Sequence, residues 1–276
     1  MNIAIIGCGY VGYAVAQHWQ NKMSLMVTAT TTTPERIPEL QAISQKVIVV
    51  RGNNTEGLKS LLKDQDVVLL SIGRKRNVSY KETYLKTAET LIPVLQQNST
   101  LKQLIYLSSF SVYGYQNDNL VDEETQPNPI SDNSKVLRQT EELFLSASNE
   151  KLKVCIFRLG GIYGAGRREL VKIVSRYIAG KTLPGNGQQA TNWIHIDDIV
   201  GGIEFARQNR LQGVYNLVDD ANLTQRQLIE EVCKKHNLPP VTWDSSQSRK
   251  RDCNAKVTNQ KIKDAGYKFL HPNMTF

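Results

Sequence analysis

The chain has 276 residues, with 34 Lys and Arg against 26 Asp and Glu, a formal net charge of +8, 40% apolar and 22% charged side chains. That balance excludes a disordered or fibrous chain and suits one large globular domain or two small ones. Apolar runs such as 67–72 fall far short of the ~20 residues that cross a bilayer. The excess of positive charge suits phosphate-bearing ligands, whereas nucleic-acid binding would need the cations gathered on one face.

The N-terminus enters a strand at 2–6 without a basic leader or small-residue cleavage site, which predicts a cytoplasmic protein. Gly7-Cys8-Gly9-Tyr10-Val11-Gly12 follows, and a helix over 11–19 continues from it. A Gly-x-Gly-x-x-Gly between strand and helix is the pattern of a dinucleotide-binding turn. The first glycine permits the bend, the second admits a pyrophosphate, and the third lets helix and strand pack, with Cys8, Tyr10 and Val11 between them. A second strand over 25–30 runs into Thr30-Thr31-Thr32-Thr33 and then Arg36. The first 34 residues contain no carboxylate, where an NAD site usually places one about 20 residues after the turn to bind ribose. Hydroxyls and a guanidinium suit a 2′-phosphate instead, so NADP is the expected cofactor and NAD the second choice.

Further strands are expected over 46–50, 66–71, 102–108 and 152–157, several of them near-continuous Ile/Val/Leu runs of the kind buried on both faces of a parallel sheet. Between them, 79–97 repeats apolar residues at spacings of three and four, as a helix packed on a sheet requires. The alternation predicts an α/β, Rossmann-type doubly wound parallel sheet over 1–165. A smaller substrate-binding part follows over 166–276, interleaved through returning segments around 190–220. Gly52-Asn53 after the third strand and Ser71-Ile72-Gly73 after the fourth are placed beside the cofactor, Asn53 through its amide. The cluster Arg74-Lys75-Arg76 reads as a solvated loop, with a reach to the cofactor phosphates as the alternative. Strands over 191–196 and 214–218 and helices over 198–208 and 224–236 complete the pattern, with Asp197 or Thr224 as helix caps. The loop 116–133 is long enough to cover a site.

Leu107-Ser108-Ser109-Phe110-Ser111-Val112-Tyr113-Gly114 resembles a segment of the extended short-chain dehydrogenase/reductase family, the NAD-dependent epimerases and dehydratases. Phe157-Arg158-Leu159-Gly160-Gly161-Ile162-Tyr163-Gly164-Ala165-Gly166-Arg167, Trp193-Ile194-His195-Ile196-Asp197-Asp198-Ile199 and Val214-Tyr215-Asn216-Leu217 resemble later segments in the same order. The resemblance implies that Ser109 binds the reacting oxygen and that Lys135 holds the nicotinamide ribose. Gly161 is assigned to the cofactor, and Ser131, Arg167 and Asn192, with Ser109, to the substrate.

In the family a tyrosine four residues before the lysine acts as acid or base; here that position is Ser131. A serine hydroxyl without a base is a poor proton carrier near neutral pH. Tyr113 is a stand-in catalytic candidate, against its reading as a core aromatic. His195 near Asp197 and Asp198 lacks a third ligand at metal-binding spacing, and the four cysteines are scattered, so no metal and no disulfide framework is expected. The basic run 248–252 reads as a charge run.

Two functions stand. One is an NADP-dependent oxidoreductase or epimerase-like enzyme on a small hydroxyl or carbonyl compound, with phosphorylated and nucleotide-sugar compounds among the candidates, working as monomer or homodimer. The other is a dinucleotide-binding sensor or interaction protein that has lost catalysis at Ser131. Neither needs nucleic acid or membrane.

Overall fold

The computed structural model describes residues 1–22, 25–166, 170–247 and 253–275. Five strands, β1 (Asn2–Ile6), β2 (Met26–Thr31), β3 (Lys46–Val49), β4 (Val67–Leu70) and β5 (Gln103–Ser109), join Lys153–Leu159 and Gly213–Leu217 in one seven-stranded sheet. Its order runs from Gly213–Leu217 through Lys153–Leu159, β5, β4, β1 and β2 to β3. β1 pairs in parallel with β2 and with β4, β2 with β3, and β4 with β5. This is the parallel α/β Rossmann-type sheet expected from the sequence, and the strand order reverses between β1 and β4, where such folds bind ligands.

The apolar runs explain the burial. Every residue of β4 is buried, as are Ile3 to Ile6 of β1. Helix Lys86–Gln97 buries Ala88, Leu91, Val94 and Leu95 in a core with Leu70, Leu104 and Ile156. The helix expected over 79–97 forms, with its first part, Lys81–Leu85, wound more widely than the regular helix that follows. Helix α1 (Tyr10–Lys22) buries Trp19, whose indole N–H donates to Glu204 at 2.8 Å.

The described residues form two compact units. The first comprises Met1–Ser108, Lys135–Arg158 and Val200–Tyr215; the second comprises Ser109–Ser134, Leu159–Ile199 and Asn216–Phe276. Within the second, Trp193–His195 pairs with Gly161–Tyr163 in a separate two-stranded sheet, so the strand expected over 191–196 does not join the main sheet, whereas Gly213–Leu217 does. Thr224 closes a capping box with Gln227 at the start of helix Gln225–Lys235. Asp197 lies inside helix Ile196–Asn209 rather than capping it. Among the described residues, no helix is long and apolar enough to cross a membrane.

Candidate functional site

The turn after β1 is shaped by three glycines that meet three different surroundings. Gly7 has φ +88°, and a Cβ there would stand 2.8 Å from the Ile72 backbone and from Ser71 O. A Cβ on Gly12 would stand 2.7 Å from Gly7 O, so helix α1 can approach β1 only without one. Gly9 faces open space. The turn is anchored to β2: Gly7 N donates to the Thr30 hydroxyl at 3.0 Å and Cys8 N to Thr30 O at 3.0 Å. Helix α1 has no acidic residue in its first turn, which leaves the positive end of its dipole uncompensated beside the turn.

This turn opens on a cleft of about 670 Å3 at the C-terminal ends of β1, β2 and β4, lying within the first unit. Gly7, Cys8 and Gly9 line it, with Thr30, Thr31 and Arg36 from the second strand and its sequel. Gly52, Asn53, Ser71, Ile72 and Gly73 complete the set read from sequence. Tyr10, Val11 and Gly12 belong to helix α1 and are not part of the lining, nor are Lys135 and Gly161. Gly52 is required by packing: a Cβ would fall 2.0 Å from the Thr87 hydroxyl.

The end of the cleft next to β2 is cationic and rich in hydroxyls. Thr31 Oγ1 accepts from Thr33 N at 3.1 Å and donates to Thr33 O at 3.3 Å, a local turn made by the threonine run. Arg36 Nη1 donates to Cys8 O at 2.7 Å, while its Nε and Nη2 grip both oxygens of Glu39 at 2.9 Å. That pairing raises the Arg36 guanidinium above its ordinary pKa and lowers the Glu39 carboxyl. Lys75 Nζ donates to the Thr33 hydroxyl at 2.9 Å. Lys75 thus belongs to the cleft, together with Arg51 and Arg74, and Glu82 is the acidic side chain that lines it. The sequence left Lys75 between a solvated loop and a reach to the cofactor phosphates, because the chain between 33 and 75 carries no local signal that the two positions meet. Burial pushes the Cys8 thiol up to about 12, so it stays protonated and offers no nucleophile.

The residues assigned to catalysis and substrate are committed to local structure. Ser109 Oγ accepts from Ser111 N at 3.2 Å and caps the turn Phe110–Tyr113. Tyr113 is fully buried, and its hydroxyl donates to Asn216 Oδ1 at 2.9 Å. Asn216 in turn donates from its backbone N to Glu123 at 2.6 Å, whose carboxyl is raised by burial. Ser131 Oγ accepts from Ser134 N at 3.3 Å and lies 3.0 Å from Ser134 Oγ, at the entry to helix Asp132–Ser146. Lys135 is exposed on the first turn of that helix. Gly161 lies against the Trp193 ring, 2.8 Å from where its Cβ would be. Asn192 is buried, donating to Ala255 O and accepting from Val257 N, each at 2.9 Å. Arg167 and the basic run 248–252 lie outside the described residues.

One network joins residues that no spacing in the sequence relates. Glu141 of helix Asp132–Ser146, fully buried, accepts from Ser108 at 2.6 Å and from Arg158 Nη2 at 2.8 Å. It ties that helix to β5 and to Lys153–Leu159.

Comparison with known proteins bears on what this geometry serves. The family model described as NAD dependent epimerase/dehydratase family matches residues 3–217. Protein YeeZ of Escherichia coli (strain K12) is 25% identical over 250 residues, covering 88% of this chain and 87% of that protein. Among solved structures, the UDP-glucuronic acid 4-epimerase from Bacillus cereus in complex with UDP-glucuronic acid and NAD superposes with a TM-score of 0.77 at 21% identity, over 96% of this chain and 92% of that one. A functionally unknown conserved protein from Silicibacter pomeroyi DSS gives a TM-score of 0.77 at 20% identity, covering 99% and 94%. Both structures share the fold.

Proposed function

We propose, from the premise that this chain belongs to the NAD dependent epimerase/dehydratase family, that it is an NADP-dependent oxidoreductase or epimerase-like enzyme. Its substrate on this reading is a small hydroxyl or carbonyl compound, of which the UDP-sugar held by the Bacillus cereus structure is one chemical example. The carrying observation is the β2 end of the cleft: Thr31, Thr33, Arg36 and Lys75 put two hydroxyls and two cations where a ribose carboxylate partner is lacking. The cleft also fits a dinucleotide at the turn, where Gly9 leaves room for a pyrophosphate and the N-terminus of α1 faces it.

When bound, the nicotinamide group supplies hydride exchange with the substrate carbon. The chain's part is to hold and orient. Backbone N–H groups of the turn and the helix dipole would receive the pyrophosphate. Arg36 is held in place on one side by Glu39 and on the other by Cys8 O, so it meets a phosphate without first losing side-chain freedom. Ser109 is assigned to orient the reacting oxygen and Lys135 the ribose.

Calorimetry with NADPH and NADH tests the reading. NADPH should bind roughly tenfold or more tightly than NADH, and Lys75→Ala should remove most of that preference, since one charge-assisted contact is worth about 1.5–3 kcal/mol. Equal affinity for the two, or tighter binding of NADH, overturns the NADP assignment.

A second reading rests on Ser131. Its hydroxyl accepts from a backbone N–H at a helix entry, which is a capping role and not that of a proton carrier. On this reading the protein is a dinucleotide-binding sensor that no longer turns over. Ser131→Tyr discriminates: turnover by the unaltered protein on a panel of sugar nucleotides and simple carbonyls excludes the sensor, while turnover gained only with the tyrosine supports it.

A further inference from the structure

We propose that His195, Asp197 and His271 form a binding site for one divalent transition-metal ion of the zinc class. The sequence brings His195 and Asp197 together but offers no third ligand at regular spacing. The fold supplies it from far along the chain, within the second unit. Asp197 Oδ2 lies 3.1 Å from His271 Nε2 and 3.5 Å from His195 Nδ1. The ligand atoms of the three residues all fall within 4.8 Å of one another. Two ligands at 2.0–2.2 Å from a tetrahedral ion stand about 3.3 Å apart, so both carboxylate–imidazole separations already suit one ion.

The ligands are held from behind. Asp198, fully buried, accepts from Leu270 N at 2.6 Å and from His271 N at 2.9 Å, which docks the segment carrying His271 on the start of helix Ile196–Asn209. Tyr267 donates to Asp198 O at 3.0 Å. The Tyr163 and His195 rings pack in a T-shaped arrangement, with centroids 5.0 Å apart. Outer partners of this kind set ligand orientation. Two imidazoles and a carboxylate favour zinc, cobalt or nickel over magnesium or calcium. Asp197 is 56% exposed, so water can complete the fourth position.

Metal entry has two costs. His195 Nδ1 accepts a 3.2 Å hydrogen bond from Asp197 N, which the ion displaces. The two imidazole centroids are 3.8 Å apart and must part by roughly an ångström for both lone pairs to aim at one ion. The site is therefore one of moderate affinity. The proposal is independent of the dinucleotide reading, and a failure to bind NADPH leaves it intact.

The test uses full-length, untagged protein freed of metal with a chelator and titrated with Zn2+ alone. All four cysteines are buried, so thiols do not compete for the ion. One equivalent should bind with micromolar affinity, and His271→Ala and Asp197→Asn should each weaken it by roughly tenfold or more. Co2+ should give visible absorption bands of a four-coordinate site in the parent protein and not in His271→Ala. Circular dichroism establishes that both variants are folded. Absence of binding below about 100 µM Zn2+, or binding that neither variant weakens, overturns the proposal.

Discussion

Gly7, Gly9 and Gly12 differ in what a methyl group would meet, and that difference separates folding from ligand binding at single positions. Gly7→Ala forces a side chain into the left-handed region and against the Ile72 backbone, and should lower stability by about 2–3 kcal/mol in urea unfolding. Gly9→Ala meets no neighbouring atom and should leave the unfolding midpoint almost unchanged while weakening NADPH binding roughly tenfold or more. A Gly9→Ala protein that binds NADPH like the parent would remove the pyrophosphate from this turn.

Asp219 carries a second residue-scale prediction: burial pushes its carboxyl up to about 7 from 3.8. The folded protein keeps a proton that the unfolded chain releases between those values, so this group's contribution to stability falls as pH rises from about 4 to about 7 and stays lost above. Asp219→Asn preserves an acceptor for Ala221 N and should stabilise the protein at pH 8 by on the order of 2–3 kcal/mol more than at pH 5. Equal gains at both pH values would refute that account.

At the scale of elements, helix Asp132–Ser146 is fastened at two places of different strength. Ser131→Ala removes an entry cap and should cost about 1 kcal/mol. Glu141→Gln leaves the Arg158 charge buried without its counter-ion and should cost about 3–5 kcal/mol, read from chemical denaturation. Replacing both partners, Glu141→Leu with Arg158→Met, should recover most of that loss. The cap was foreseeable from a serine preceding Asp132. The ion pair was not, because its partners stand 17 positions apart on different elements, and no periodicity relates them.

For the molecule as a whole, the +8 charge is expressed locally at the cleft, where Arg36, Arg51, Arg74 and Lys75 face Glu82. Screening shortens to about 3 Å at 1 M salt. NADPH affinity should therefore fall with added salt more steeply than NADH affinity, since the 2′-phosphate adds charge. Parallel salt dependences in calorimetry would mean that the cations lie outside the reach of that phosphate. The other Lys and Arg are spread along the sequence, which predicts negligible retention on DNA at physiological salt.

What the sequence determined alone was the local and the periodic. The strand, glycine turn and helix at the start are contiguous within 22 residues, so their order and spacing are legible without the rest of the chain. The buried parallel strands declare themselves by unbroken apolar runs, so the sheet was legible too. Only the tertiary structure decided what depends on residues far apart in the chain. Lys75 reaches Thr33, Glu141 meets Arg158, and His271 joins His195 and Asp197 because sheet order and loop docking close those distances. Polar contacts carry no periodicity, and a side chain's role at such a place is set by the neighbour that the fold brings to it.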